Sequence, residues 1–307
     1  MSQDEPDLKS KDEDPYEPPI DSEEIPEPAE RRGGERKWWT FLVLYFAAAF
    51  YFIVVSSFIG AVLPIHEAVL ATQIVGVLGA AVWYTLIRSD QRAPWPNFDE
   101  IGLTGGQLVL MGVTACVLVL AANSVMALIV ETVPAAEPIA KAYEQQIKHL
   151  LLEAEGVDWV MGVVGITVLA PVCEEILFRG TILPEQQRVQ KTLQAVGVNG
   201  LLFGAFHLNP IALISLTFVG MFLAHLVSLT GSIWPAIIAH AVFNAFSGVV
   251  LPAAFPNAGT TEIVPLELLD GVYVLGEVGQ LVVAGIVFGA LAGLLWRWLA
   301  RSVAARQ

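Results

Sequence analysis

Charge is what this sequence has least of. Only 15% of its 307 residues are Asp, Glu, Lys or Arg, while 55% are hydrophobic; a soluble chain carries about a quarter charged residues. The apolar residues are gathered into long runs, which excludes an ordinary water-soluble domain and indicates a polytopic membrane protein. Cysteine is nearly missing. Cys116 and Cys173 both fall in apolar runs, so neither a disulfide framework nor a CxxC zinc site is available. The start of the chain lacks the basic stretch and short apolar core of a signal peptide, so the first hydrophobic run is expected to stay as a span.

The net charge of -14 is unevenly placed. Residues 1–30 hold 12 acidic and 2 basic residues, and few large apolar ones. Such a segment cannot bury enough surface to offset its ordering entropy. Residues 1–37 are therefore expected to be a disordered acidic tail, a solvated tether. Counting apolar runs against the roughly 20 residues that a span needs predicts an all-α membrane bundle of about eight transmembrane helices. Their expected bounds are 38–63, 67–88, 107–130, 158–182, 191–208, 210–229, 232–251 and 278–299, with a short tail at 301–307. With the N-terminus inside, 14 of the 16 Lys and Arg residues fall on inner segments and only Lys141 and Lys148 outside. That bias predicts a multi-pass cell-membrane protein with both termini cytoplasmic. In the long 131–157 connection, Ile139, Tyr143, Ile147, Leu150 and Leu151 recur at helical spacing, as in an amphipathic helix lying at the membrane surface.

Charged residues persist in a span mainly when they pair or do chemistry, so the polar residues inside the runs are informative. Several have ordinary explanations. His66-Glu67 starts like an HExxH site, but Leu70 stands where the second ligand belongs. The LLDG around Asp270 means little without HExxH, and His225 stands alone. No GxSG, GxGD or YD pattern occurs. What remains is a group on three helices: Glu174, Glu175 and Arg179; Phe203 and His207; His240 and Asn244.

Helix geometry sorts them. Glu175 and Arg179 are four apart and share a face, so they can pair. Glu174 lies about 100° away around the helix and is free to act as a general base. His240 and Asn244, again four apart, can face one cavity with two hydrogen-bond donors, an arrangement suited to an oxyanion. Phe203 can pack beside the imidazole of His207. For Glu174 and His207 to meet, the fourth helix must continue through ILPEQQR, or the fifth must be short and tucked.

These residues carry a resemblance. EEILFRG fits EExxxR, FGAFH fits FxxxH and HAVFN fits HxxxN. Over about residues 160–250 the chain resembles the intramembrane proteases of the type II CAAX prenyl protease and bacteriocin-processing family, also called ABI or CPBP. The resemblance implies a transmembrane protease domain at 38–300 with its motif core at 158–251. It further implies that Glu174 and His207 activate water, that His240 and Asn244 hold the oxyanion, and that Glu175, Arg179 and Phe203 support the site. A peptide or membrane-protein substrate in the lipid bilayer, prenylated in the CAAX case, is expected, and no nucleic acid. Zinc is open as a cofactor, since Glu174, His207 and His240 could supply two histidines and a carboxylate. In the competing metal-free scheme Asn244 has a clearer part, because an amide nitrogen is not a usual zinc ligand. Two rival functions stand beside the peptidase: a non-turnover peptide-binding or immunity scaffold, and a small proton-relaying transporter. A transporter would often show two related halves, and residues 38–130 hold no copy of the motifs.

Overall fold

The computed structural model describes residues 39–87, 96–254 and 276–306. The acidic tail and the LLDG motif lie outside these. All described residues belong to one unit, Lys37–Gln307, and it is helical: α1 (Thr40–Val62), α2 (65–87), α3 (Gly105–Thr132), α4 (Glu137–Ile147), α5 (Gly156–Gln187), α6 (Thr192–Phe206), α7 (Leu213–Thr230), α8 (Trp234–Ala254) and α9 (Gly276–Ala304). Among the described residues, seven helices are long and apolar enough to cross a membrane; α6 is not one of them. The protein is a multi-pass membrane protein. The fifth expected span, at 191–208, is a shorter apolar helix of 15 residues. The helix itself reaches only about 22 Å of the roughly 30 Å hydrocarbon layer, but the ends of α5 and α7 meet, so α6 and the 207–212 turn together carry the chain across.

Proline placement explains the irregularity of the long helices. A proline inside a helix lacks the N–H for residue i−4 and clashes with that residue's carbonyl. Pro171, Pro184 and Pro252 each follow a widened, π-helical turn: Gly165–Leu169, Ile176–Ile182 and Phe246–Val250. In each case the i−4 residue (Thr167, Gly180 or Gly248) falls within the wide turn. The extra residue in the turn relieves the clash without breaking the helix, as a membrane span requires.

Short turns and tight contacts make neighbouring helices antiparallel. Gln187 at the end of α5 bonds Ser228 near the end of α7 at 2.9 Å. The 231–233 turn pairs with the segment before α3 through Asn97 N–H to the Gly231 carbonyl at 2.7 Å. Gln107, in the first turn of α3, meets Ser302 and Arg306 at the end of α9. These turns and helix ends therefore share one end of the bundle. The outer helices present apolar residues to the surroundings, such as Phe46, Phe50 and Phe58 on α1 and Leu294 on α9, as lipid contact demands.

α5 and α6 sit at the centre. One buried cluster joins α1, α2, α5 and α6 through Tyr45, Ala80, Phe178 and Phe203; another joins α3, α6, α7, α8 and α9 through Met111, Ala195, Phe222, Ala239 and Ala292. α6 and α7 are pressed together at glycines. A Cβ on Gly200 would lie 2.6 Å from the Thr217 carbonyl, and one on Gly220 would lie 2.9 Å from Gly200 Cα. Small residues four apart, here Gly200 and Gly204, are the usual means of close helix approach in lipid.

Candidate active site

The length of α5 settles how its carboxylates reach the histidine of α6. Its helix continues through ILPEQQ to Gln187, which places Glu174 and Glu175 near its middle. α6 is short, so His207 at its C-terminal end is recessed rather than carried across. Both sequence-level conditions for their meeting hold together. The turn beyond His207 is tight: Leu208 has φ 52, a left-handed conformation that costs a non-glycine residue roughly 1–2 kcal/mol. Its N–H bonds the Ala205 carbonyl at 3.1 Å. The Asn209 side chain then accepts from the N–H groups of Ile211 and Ala212, turning the chain into α7. α4 covers this corner, with Ala136 and Ala140 packed on Ile211.

The side chains converge in two layers. In the inner one, Glu175 and Arg179 are wholly buried. Arg179 Nη1 donates to Glu175 Oε1 at 2.9 Å, and Nη2 donates to the Gly220 carbonyl at 2.7 Å. The same Glu175 oxygen accepts from His240 Nδ1 at 2.9 Å. The guanidinium carbon stands 4.6 Å from the centre of the Phe203 ring, whose edge-on contacts with His207 (4.9 Å) and His240 (5.5 Å) wedge the two imidazoles apart. The close approach of α7 at Gly200 and Gly220 is what brings the Gly220 carbonyl to Arg179.

In the outer layer, Glu174 Oε2 lies 3.7 Å from His207 Nε2 and 4.0 Å from His240 Nε2. That oxygen is buried and has no hydrogen-bond partner among the described residues. His207 Nδ1 is 2.9 Å from the Phe203 carbonyl. A carbonyl only accepts, so Nδ1 carries the proton and the lone pair of the neutral ring sits on Nε2. Glu175 fixes His240 in the same sense. Both rings therefore turn Nε2 toward Glu174. The His207 side chain is 29% exposed and that of His240 only 4%, so the site opens on the His207 side.

Asn244 is half-buried one turn from His240 and donates through Nδ2 to the Ile166 carbonyl in the first wide turn of α5, at 2.9 Å. One of its two amide protons is thereby used and the other is free. The sequence reading missed the bond from Glu175 to His240: Glu175 touches a candidate reacting residue directly as well as pairing with Arg179. Nothing in the sequence ties those two positions, 65 residues apart, except that both lie in family motifs.

The zinc reading finds no support in this arrangement. Among the described residues no group of three or more His, Cys, Asp or Glu side chains is spaced to hold a metal ion. The 3.7 and 4.0 Å separations are wider than the roughly 3.3–3.5 Å between donors that share a tetrahedral zinc at 2.0–2.2 Å. His66 and His225 stand apart from the site. His66 is buried with its ring centre 6.0 Å from that of His149, and His225 packs edge-on to Trp296 at 5.4 Å.

Three helices carrying these motifs, with this convergence, parallel what comparison with known families finds. Residues 156–246 match the family described as Type II CAAX prenyl endopeptidase Rce1-like. Over these 91 residues the chain is similar to this Rce1-like family. The matched segment runs from the first residue of α5 into α8 and contains every residue of the two layers. Comparison with curated proteins and with solved structures gives no match.

Proposed function

We propose that the protein is a metal-free intramembrane endopeptidase, in which a water held between Glu174 and His207 attacks a peptide carbonyl. The observation that supports this most directly is the Glu174 carboxylate oxygen, buried without a hydrogen-bond partner among the described residues and flanked by two imidazole Nε2 atoms. A gap of 3.7 Å between Glu174 Oε2 and His207 Nε2 suits one water bonded to both at about 2.8 Å. Glu174 takes the water's proton as its oxygen bonds to the carbonyl carbon. The carbonyl electrons move onto oxygen, and the oxyanion accepts from the free Asn244 N–H and from Nε2–H of His240. His240 donates there when both its ring nitrogens carry protons, with Glu175 accepting from Nδ1. The C–N bond then breaks as the proton passes from Glu174, with His207 as relay, to the departing amine nitrogen.

Phe203 and Arg179 hold this geometry and need not touch substrate. A peptide or membrane-protein substrate would enter from the His207 side, and a prenylated tail is the class that the family description suggests. The basic residues favour both termini on the cytoplasmic side of the cell membrane. The test is cleavage of a panel of membrane-anchored reporter peptides by purified protein in liposomes. Cleavage by the wild type that disappears in Glu174→Gln is expected; equal cleavage by both would overturn the proposal.

A further inference from the structure

Two amides lie fully buried outside the layers just described: Gln186 on α5 and Asn199 on α6, each 0% exposed. Asn199 Nδ2 donates to the Phe178 carbonyl at 3.3 Å and to Gln186 Oε1 at 2.9 Å. The Phe178 carbonyl can only accept, so it fixes which end of the Asn199 amide faces α5. That in turn fixes the Gln186 oxygen inward. Asn199 Oδ1 and Gln186 Nε2 are left with no hydrogen-bond partner among the described residues.

For two residues whose task is to hold helices together, this is a poor arrangement. In apolar surroundings a half-satisfied polar pair is worse than well-packed apolar side chains of the same size. Stability therefore does not account for these amides, but what they touch does. The Phe178 carbonyl belongs to the widened turn Ile176–Ile182, where it also accepts from Leu183 N–H. The next residue is Arg179, which holds Glu175, which holds His240. A widened turn departs from the regular helical ladder, and a tie from outside the helix is needed to fix its rotation. Asn199 supplies the tie from α6, the helix that also carries Phe203 and His207.

We infer that Asn199, backed by Gln186, is a positioning residue for the reaction centre. It sets the rotation of the Arg179 turn against α6, and through Arg179 and Glu175 it holds His240 Nε2 toward Glu174. The inference rests on the reading of Glu174, His207 and His240 as the centre of the proposed peptidase.

Asn199→Leu and Gln186→Leu test it in the full-length protein in bilayers, with thermal stability, kcat and KM measured together. Stability equal to or above the wild type is expected for both. For Asn199→Leu, kcat should fall roughly ten- to hundredfold, as for a misplaced catalytic group, with KM little changed. Gln186→Leu should lose less, because the bond from Asn199 to Phe178 survives. A readout independent of any substrate is the 15N spectrum of histidine-labelled protein, with His240 assigned by its absence in His240→Gln. The wild type should show His240 protonated at Nδ1, and Asn199→Leu a mixture of tautomers. That change would support the positioning role even if no peptidase activity were found in the wild type, which would overturn the proposed function alone. Loss of stability in step with activity would mean a packing role. An unchanged His240 spectrum would equally overturn the inference.

Discussion

Replacing Glu175 by glutamine should destabilise the protein more than any other single change in the site. The Glu175 oxygen Oε1 accepts at 2.9 Å from both Arg179 and His240, and both Glu175 and Arg179 have no exposed surface. In Glu175→Gln the guanidinium keeps the Gly220 carbonyl but loses the carboxylate it is directly paired with. Removing one partner of a buried ion pair costs about 3–5 kcal/mol, a large share of the 5–15 kcal/mol that holds a typical domain. The amide oxygen can still accept one hydrogen bond, which places the expected loss near the lower figure, about 3 kcal/mol. Reversible unfolding of the purified protein in mixed micelles measures it. The double change Glu175→Leu with Arg179→Met removes both charges, so it should recover most of the stability. It should not recover activity, because His240 would still lack its Nδ1 partner. A loss below about 0.5 kcal/mol, the range of an ordinary surface change, would refute the reasoning that this pair anchors the inner layer.

Other outcomes follow from the same geometry. Gly200→Ala places a methyl 2.6 Å from the Thr217 carbonyl, so α6 and α7 must separate; overpacking of this kind costs about 1–3 kcal/mol, measurable in the same unfolding assay. Asn244→Ala removes a proposed oxyanion donor, and kcat on a cleaved reporter should drop roughly 10²–10³-fold with KM near that of the wild type. Treatment with a strong chelator, followed by exhaustive dialysis, should leave the rate of reporter cleavage unchanged; loss of activity restored by added zinc would contradict the metal-free mechanism.

Much of the site was legible because its motifs sit on helices, where spacing fixes direction. The pairing of Glu175 with Arg179 follows from their four-residue separation. The separate facing of Glu174 follows from its 100° offset, and the placement of His240 and Asn244 on one side of α8 from one turn of helix. What spacing cannot give is the rotation of one helix against another. The bond from Glu175 to His240, and that from Asn244 to the Ile166 carbonyl, depend on how α8 seats against the wide turns of α5. Those turns left a trace in the sequence, since Pro171, Pro184 and Pro252 all lie within apolar spans that a regular helix would not tolerate unaltered. The fifth apolar run, 191–208, was legible as membrane-buried, but its shortness was not: α6 stops at Phe206 and is shorter than the seven helices long enough to cross by themselves. Asn199 also left a signal, an amide one residue before the Gly200–Gly204 pair in an otherwise apolar stretch.

The most direct test of the central claim compares the peptide termini of host membranes containing the wild type with those containing Glu174→Gln at equal abundance. The account predicts a set of new termini that depends on Glu174, which would identify the substrates and the cleaved bonds together. Matching sets of termini, with the membrane proteins well covered, would contradict the assignment of Glu174 as the base of a working peptidase.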